Sequence, residues 1–167
     1  MKPAFAVISF FLAASPALAQ EPPSPGTVAF FGVHLIDMST EGAVNGTRPD
    51  ESARTNMASA FVANDFVDRG FTLVPIAPVA ERLEEINNPA RCNGCDVAMA
   101  ADLGADYALT GEVSKVSNLI LSLQLNLRDV RTGKTLRAGS VDIRGNTDES
   151  WQRGFSYLLR NIIFRKG

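Results

Sequence analysis

The most constraining feature of this sequence is a leucine at every second position over residues 119–127. Successive side chains of a β-strand point to opposite faces of a sheet, so this spacing predicts a strand with one buried face. The other face is largely solvated, because it carries the mainly polar residues Ile120, Ser122, Gln124, Asn126 and Arg128. The sheet must therefore be open to solvent on one side at this strand.

The segments around the leucine strand extend the sheet. Residues 106–116 form the preceding strand, and residues 131–134 form the hairpin turn that leads to the next one. That next strand changes phase at Gly139, which predicts a β-bulge. Thr147 then caps a carboxy-terminal helix, whose apolar stripe from Trp151 to Ile162 packs on the leucine face.

Strands and helices alternate in the amino-terminal half. Residues 27–36 are apolar nearly throughout, as in a buried central strand, and Pro75 places the strand over residues 71–76 at an edge. Residues 37–48 are a polar loop. Helices are predicted over residues 49–70, 77–86 and 95–103. The fold class is therefore α/β (α+β), a mixed β-sheet in the order β-α-β-α-α-β-β-β-α, with a carboxy-terminal β-meander and a helix packed on the sheet.

The first 19 residues have the pattern of a secretory signal peptide. Lys2 precedes an apolar run over residues 4–14, and small residues at Ala17 and Ala19 predict cleavage before Gln20. The run is shorter than the roughly 20 apolar residues that a membrane span needs, so no transmembrane anchor is expected. We expect a signal peptide over residues 1–19, a disordered lead-in over residues 20–26, and a single domain over residues 27–167 in the periplasm or outside the cell.

The charge of the chain argues against anionic partners. The sequence has 16 Lys and Arg against 18 Asp and Glu, a formal net charge of −2, and no basic cluster. Neither nucleic acid nor anionic lipid is therefore an expected partner. The sequence does not contain a complete phosphate-binding loop, because Arg128 stands where that motif needs glycine. No small-molecule ligand is therefore indicated.

No constellation typical of an enzyme or a metal site is found. The single histidine, His34, lies in the apolar first strand, and no Gly-x-Ser-x-Gly motif accompanies it. A zinc site would need His34 together with both cysteines and a carboxylate. The sequence has no second Cys or His pair at ligand spacing, which argues against such a site. The acidic groups around residues 37–51 and 142–149 lack the spacing of a calcium loop. We expect no catalytic residue, no metal and no cofactor.

The two cysteines, Cys92 and Cys95, have two interpretations. An oxidising compartment favours a disulfide between them, which would order the loop between two short helices. A redox role stays open, because small rings can be reducible and the start of a helix stabilises a thiolate at Cys95. Against that role, no thioredoxin-like strand precedes the pair.

The region from Ala98 onward resembles the TolB amino-terminal and curli-secretion-lipoprotein-like periplasmic domains. The matching positions are a Leu-Gly-Ala-Asp step over residues 103–106, Gly111, and Asp129 with Thr132, Gly133 and Lys134. The mature chain also resembles a family of uncharacterised secreted bacterial proteins, whose members can be encoded near quinoprotein alcohol dehydrogenases. The resemblance implies an α/β fold and a role in assembly or binding, and it transfers no catalytic residue.

Two functions follow as the leading hypotheses, ahead of a third, which is the binding of a small ligand or a metal at the acidic loop. The first is a non-enzymatic exported accessory protein that recognises another exported or envelope protein, with Gln124, Asn126 and Arg128 on the polar strand face as candidate partner-binding residues. Such a protein could act alongside a periplasmic quinoprotein dehydrogenase. The alternative is a thiol-disulfide redox accessory that uses Cys92 and Cys95.

Overall fold

The computed structural model describes residues 21–166. The predicted signal peptide and its cleavage point lie outside these residues. Within them, no helix is both long enough and apolar enough to cross a membrane. Part of the expected lead-in contacts the domain: the carbonyl oxygen of Glu21 accepts a hydrogen bond from Arg137 at 2.7 Å, and that of Ser24 accepts one from the Tyr107 hydroxyl at 3.1 Å.

Over residues 21–166, five strands form one mixed sheet in the order β2-β1-β3-β4-β5. The central pair, β1 and β3, is parallel, as is the pair of β1 with the short edge strand β2, whereas β3, β4 and β5 form an antiparallel meander. This topology confirms the predicted fold class. The strands are β1 (Thr27–Asp37), β2 (Thr72–Leu73), β3 (Tyr107–Ser117), β4 (Ile120–Asp129) and β5 (Thr135–Ile143).

The helices occupy the predicted positions with one addition. They are α1 (Thr40–Asn45), α2 (Pro49–Asp68), α3 (Ala80–Glu84), α4 (Cys95–Asp102) and α5 (Asp148–Leu158), with 3₁₀ turns at Ala77–Val79 and Pro89–Arg91 and a π-helical turn at Leu159–Ile163. The prediction of a loop over residues 37–48 is wrong, because α1 lies within it. The Ser39 hydroxyl caps α1 by accepting from the Gly42 N–H at 3.0 Å.

Helices cover the two sides of the sheet unequally. On the side to which the β4 leucines point, α2 packs against β1 and α5 packs against β4 and β5. On the opposite side, α3 and α4 pack against β1 and β3, with Phe31, Met99 and Ala108 in a second apolar core. Among residues 21–166, the sheet therefore has helices on both sides at β1 and β3, whereas β5 and all of β4 except its end near Arg128 have a helix on one side.

Two details of the meander differ from the sequence predictions. Leu119 was expected on the buried face but is 71% exposed, because it lies in the two-residue turn before β4. The predicted bulge at Gly139 is wrong, since Gly139 pairs directly with Leu125 and the register shifts nearer the hairpin turn. Gly139 serves packing instead of a bulge. A Cβ there would lie 2.7 Å from the Ile162 side chain, so glycine lets the π-helical turn that follows α5 approach β5.

Candidate functional site

The side of β4 and β5 that faces away from α5 is the candidate recognition surface. On β4 it presents the exposed Gln124 between the half-buried Ser122 and Asn126. Across the strand pair these residues face exposed residues of β5: Gln124 pairs with Ser140, and Ser122 pairs with Asp142. We call this surface the open face, and it comprises Ser122, Gln124, Asn126, Ala138, Ser140 and Asp142.

The three predicted partner-binding residues lie on this side of β4 but differ in availability. Gln124 is exposed, whereas Asn126 and Arg128 are half-buried. The Arg128 guanidinium forms an ion pair with Asp96 of α4 at 2.8 Å and donates to the carbonyl oxygen of Gly133 at 2.7 Å. The sequence predicted the side on which Arg128 lies, but it gave no signal that α4 would engage this side chain.

A second surface feature lies at one end of the sheet. It comprises five exposed apolar side chains from the β1–α1 region and the β3–β4 turn, and we call it the apolar end: Met38, Val44, Val116, Leu119 and Ile120. Two hydrogen bonds tie its parts together, from the Met38 N–H to the Lys115 carbonyl and from the Asn118 amide to the Glu41 carboxylate, both at 2.8 Å.

The other border of the open face is a segment stapled by the two cysteines. Their sulfur atoms lie at disulfide-bonding distance, between the Pro89–Arg91 turn and the start of α4. The residues inside the ring, Asn93 and Gly94, both have positive φ, at 55° and 104°. We call residues 89–102, which contain this turn, the ring and α4, the disulfide segment.

A buried carboxylate of β3 holds the disulfide segment to the sheet. Glu112 is directly opposite Gln124, and its carboxylate accepts hydrogen bonds from Asn88 at 2.5 Å, from Ser114 at 2.7 Å and from the Arg91 guanidinium. Burial raises the pKa of Glu112, but these three donors outweigh burial and hold the pKa below its ordinary value. We call this group of four residues the glutamate cluster.

A second polar cluster lies inside the core on the other side of β3. The Lys115 ammonium is fully buried and donates to Glu51 at 2.6 Å and to Asp37 at 2.9 Å. Asn146 donates to the same Glu51 carboxylate at 2.7 Å and accepts from the Trp151 indole N–H at 2.9 Å. We call these five residues the lysine cluster, and it joins β1, α2, β3 and α5.

The protonation states of the lysine cluster follow from its pairing. Burial lowers the pKa of Lys115, but the bonds to Glu51 and Asp37 outweigh it and raise the pKa above its ordinary value. Burial raises the pKa of Asp37, but its bonds from Ser39 and Lys115 leave the pKa below its ordinary value. An ammonium group that stays charged in this way acts as a structural ion-pair partner between secondary-structure elements, rather than as a nucleophile or a base.

The other residues weighed from the sequence have local partners. His34 Nε2 lies 2.8 Å from the carbonyl oxygen of Phe31. The acidic residues Asp50 and Asp148 both bind Arg54. Among residues 21–166, no group of three or more His, Cys, Asp or Glu side chains is placed to hold a metal ion. A cleft of about 430 Å³ beside Tyr107 contains Asp106 and Asp129, whose carboxylates accept from Thr27 and Thr132.

Comparisons with known proteins give a family and two similar folds. The profile of the family DUF3280, described as "Protein of unknown function (DUF2380)", matches residues 26–163. No curated protein matches the chain. The chain is similar to the LpoB C-terminal domain from Salmonella enterica, with 20% identity and a TM-score of 0.54 over 75% of this chain and 87% of that chain.

The second fold is lipoprotein GNA1162 from Neisseria meningitidis, with 21% identity and a TM-score of 0.51 over 74% of this chain and 84% of that chain. TolB from Acinetobacter baumannii reaches a TM-score of 0.38 at 15% identity, over 86% of this chain and 29% of that chain. The first two similarities support the fold, and the TolB score is too low to carry an argument.

Proposed function

We propose that this chain, which belongs to the DUF3280 family, is an exported accessory protein that binds another envelope protein through the open face and the apolar end. The observation that carries the proposal is the unequal coverage of the sheet. Helices pack on both sides of β1 and β3, whereas α5 covers only one side of β4 and β5. A sheet side that no helix covers is suited to recognition of a protein surface.

The composition of this surface supports binding rather than catalysis. Gln124, Ser140 and Asp142 offer donors and acceptors, and the apolar end adds side chains such as Leu119 and Ile120. An apolar patch bordered by polar groups is the usual anatomy of a protein interface. The histidine and the buried lysine, which a reaction could use, have intramolecular partners away from this surface.

The place of action is part of the proposal. The amino-terminal signal pattern motivates export, and one structural neighbour is named a lipoprotein, which supports an envelope setting for a domain of this fold. A partner among quinoprotein dehydrogenases rests on the sequence resemblance alone and stays a prediction.

A photo-crosslinking experiment tests the binding surface. We would place a photoreactive amino acid at Gln124 in the full chain in its native host and, as a matched control, at the exposed Gln152 of α5. We expect a discrete adduct with one exported protein from position 124 and none from position 152. Equal adducts from both positions, or an adduct from position 124 with a second copy of this chain alone, would contradict the proposal.

The thiol-redox alternative keeps one supporting observation. Both cysteines are half-buried rather than enclosed, and Cys95 is the first residue of α4. The direct measurement is thiol exchange by the purified protein with a reduced peptide substrate. Turnover that disappears in a variant carrying Cys92→Ser and Cys95→Ser would replace the binding proposal.

A further inference from the structure

Two ion pairs hold the disulfide segment to the sheet, one on each side of the ring. On one side, Arg91 binds Glu112 of β3, and on the other side Asp96 binds Arg128 of β4. Because the ring lies between Arg91 and Asp96 in sequence, its conformation sets the distance between the two pairs. The cysteines close the ring around Asn93 and Gly94, which both have positive φ, so the bond between the cysteines restrains this turn.

The seam between the disulfide segment and the sheet is incompletely hydrogen-bonded. Three buried atoms there have no partner among the described residues: Thr110 Oγ1, Asn126 Oδ1 and Arg128 Nε. Thr110 is directly opposite Asn126, and Arg128 follows on the same side of β4. An unsatisfied buried polar atom costs free energy, so this seam favours opening toward water, whereas the ring opposes it.

We infer that the Cys92–Cys95 disulfide is a redox-controlled latch on the open face. With the bond closed, the disulfide segment keeps Arg128 paired to Asp96 and keeps Asn126 half-buried. With the bond reduced, the segment loosens and both side chains become available to a partner. The inference rests on the proposed function, because it concerns the regulation of the same surface.

The opening reaction requires a dithiol reductant. One thiolate of the reductant attacks a sulfur of the ring, the bond between the Cys92 and Cys95 sulfurs breaks, and the second thiol of the reductant displaces the mixed disulfide. Two electrons and two protons thereby pass to the two cysteine thiols, while the reductant forms its own disulfide. The Cys92 sulfur lies 3.1 Å from the carbonyl oxygen of Pro89, which can accept from the thiol once it forms.

Chemical labelling of arginine tests the latch without a partner. Phenylglyoxal modifies accessible guanidinium groups, and the rate at Arg128 is read by peptide mass spectrometry before and after reduction with dithiothreitol. We expect severalfold faster labelling of Arg128 in the reduced protein. Arg69, which binds Asp65 on α2, is the internal control and should label at one rate in both states.

Two variants sharpen the result. The Cys92→Ser, Cys95→Ser double variant should label at Arg128 as fast as the reduced wild type without any reductant. Asp96→Asn keeps the ring but removes one ion pair, so it should speed labelling of Arg128 while hydrogen exchange over residues 89–95 stays slow. If the double variant does not fold, the reduced wild type supplies the same comparison.

The outcomes separate the latch from the proposed function. Equal Arg128 labelling in both redox states, with both thiols shown free by mass, overturns the latch. Faster labelling on reduction with no adduct from position 124 in either state retains the latch and overturns the binding function. Faster labelling together with a higher adduct yield from position 124 supports both.

Discussion

The lysine cluster and the glutamate cluster lie on opposite sides of β3 and differ in how completely the fold covers them. In the lysine cluster, the three charged side chains are each less than a tenth exposed. In the glutamate cluster, Glu112 is buried but its partner Arg91 is 58% exposed. A cation therefore pairs with a carboxylate in both clusters, but the pair is enclosed in the lysine cluster and partly exposed to solvent in the glutamate cluster.

The two clusters differ in solvent exposure and should therefore contribute differently to stability. The lysine cluster links α2 and α5 to the sheet, and its loss leaves charged side chains buried in the core without an ion-pair partner. The glutamate cluster holds only the disulfide segment, and water can replace its arginine. We therefore expect the first to govern global stability and the second to govern the border of the open face.

The largest effect is expected at Trp151, where the lysine cluster meets the apolar core. Trp151→Ala removes a fully buried ring and should lower the free energy of unfolding by about 3–5 kcal/mol. It also leaves the Asn146 amide oxygen without the indole donor. Urea unfolding followed by circular dichroism measures the loss. Trp151→Phe is the matched control, and it should lose less because most of the ring volume remains.

The next prediction compares the two cations directly. Lys115→Met leaves the two buried carboxylates of Glu51 and Asp37 without a cation and should lower the free energy of unfolding by about 3–5 kcal/mol. Arg91→Met should lower it by about 1–2 kcal/mol, because Asn88 and Ser114 still donate to Glu112. Equal losses in chemical denaturation would mean that coverage does not distinguish the clusters.

Acid should weaken both clusters, and alkali only one. The pKa of Glu112 and that of Asp37 are lowered in the fold, so their contribution is present above the unfolded pKa and is lost as pH falls through the folded pKa. The pKa of Lys115 is raised, so its contribution is present below the unfolded pKa and is lost as pH rises through the folded pKa. The midpoint of unfolding, measured as a function of pH, should fall at both low and high pH. Arg91→Met should reduce the dependence of this midpoint on pH only on the acid side.

The seam beneath the disulfide segment should tolerate the loss of a polar atom. Thr110→Val replaces a buried hydroxyl that has no hydrogen-bond partner among the described residues by a methyl group of similar volume. We expect the free energy of unfolding to rise by about 1 kcal/mol. Thr110→Ser, which keeps the hydroxyl but loses a methyl group, is the control and should be destabilising. A loss of stability in the valine variant would show that the hydroxyl has a partner.

The smallest change in stability is expected on the open face. Gln124→Ala should alter the free energy of unfolding by less than about 0.5 kcal/mol, because its side chain is exposed. The same variant should weaken adduct formation when the photoreactive residue is placed at Ser140, its neighbour across the strands. Unchanged adduct yield would remove Gln124 from the recognition surface.

Alternation and helical stripes were sufficient to predict most of the fold. The leucines of β4 predicted a strand with one buried side, because the side chains of a strand alternate with a period of two. The apolar stripe from Trp151 onward predicted α5 and its packing on the sheet. The short helix α1 was missed because it has six residues and depends on one capping serine, Ser39. Gly139 was misread because the approach of Ile162 is a contact between distant segments.

The candidate site was less predictable, for a physical reason. Lys115 was not singled out from the sequence. It has the same phase as Leu109 and Val113, so alternation could have indicated a buried ammonium, but nothing local identifies its partners. The pair of Asp96 with Arg128 likewise requires α4 to dock on the sheet first. Ion pairs between separate elements depend on tertiary packing, and the spacing of residues along one element does not reveal them.

The parallel pairing of β1 with β3 has a consequence for how the chain folds. Thr27 and Asp106, which bond at the start of this pair, are 79 residues apart in sequence, whereas β3, β4, β5 and α5 follow one another through short connections. Closing so long a loop is slow, so we expect the carboxy-terminal meander to form first and serve as the template for β1. Until then β1 is an unpaired apolar segment, and it is the part of a chain emerging from a ribosome or a translocation channel that most needs a chaperone.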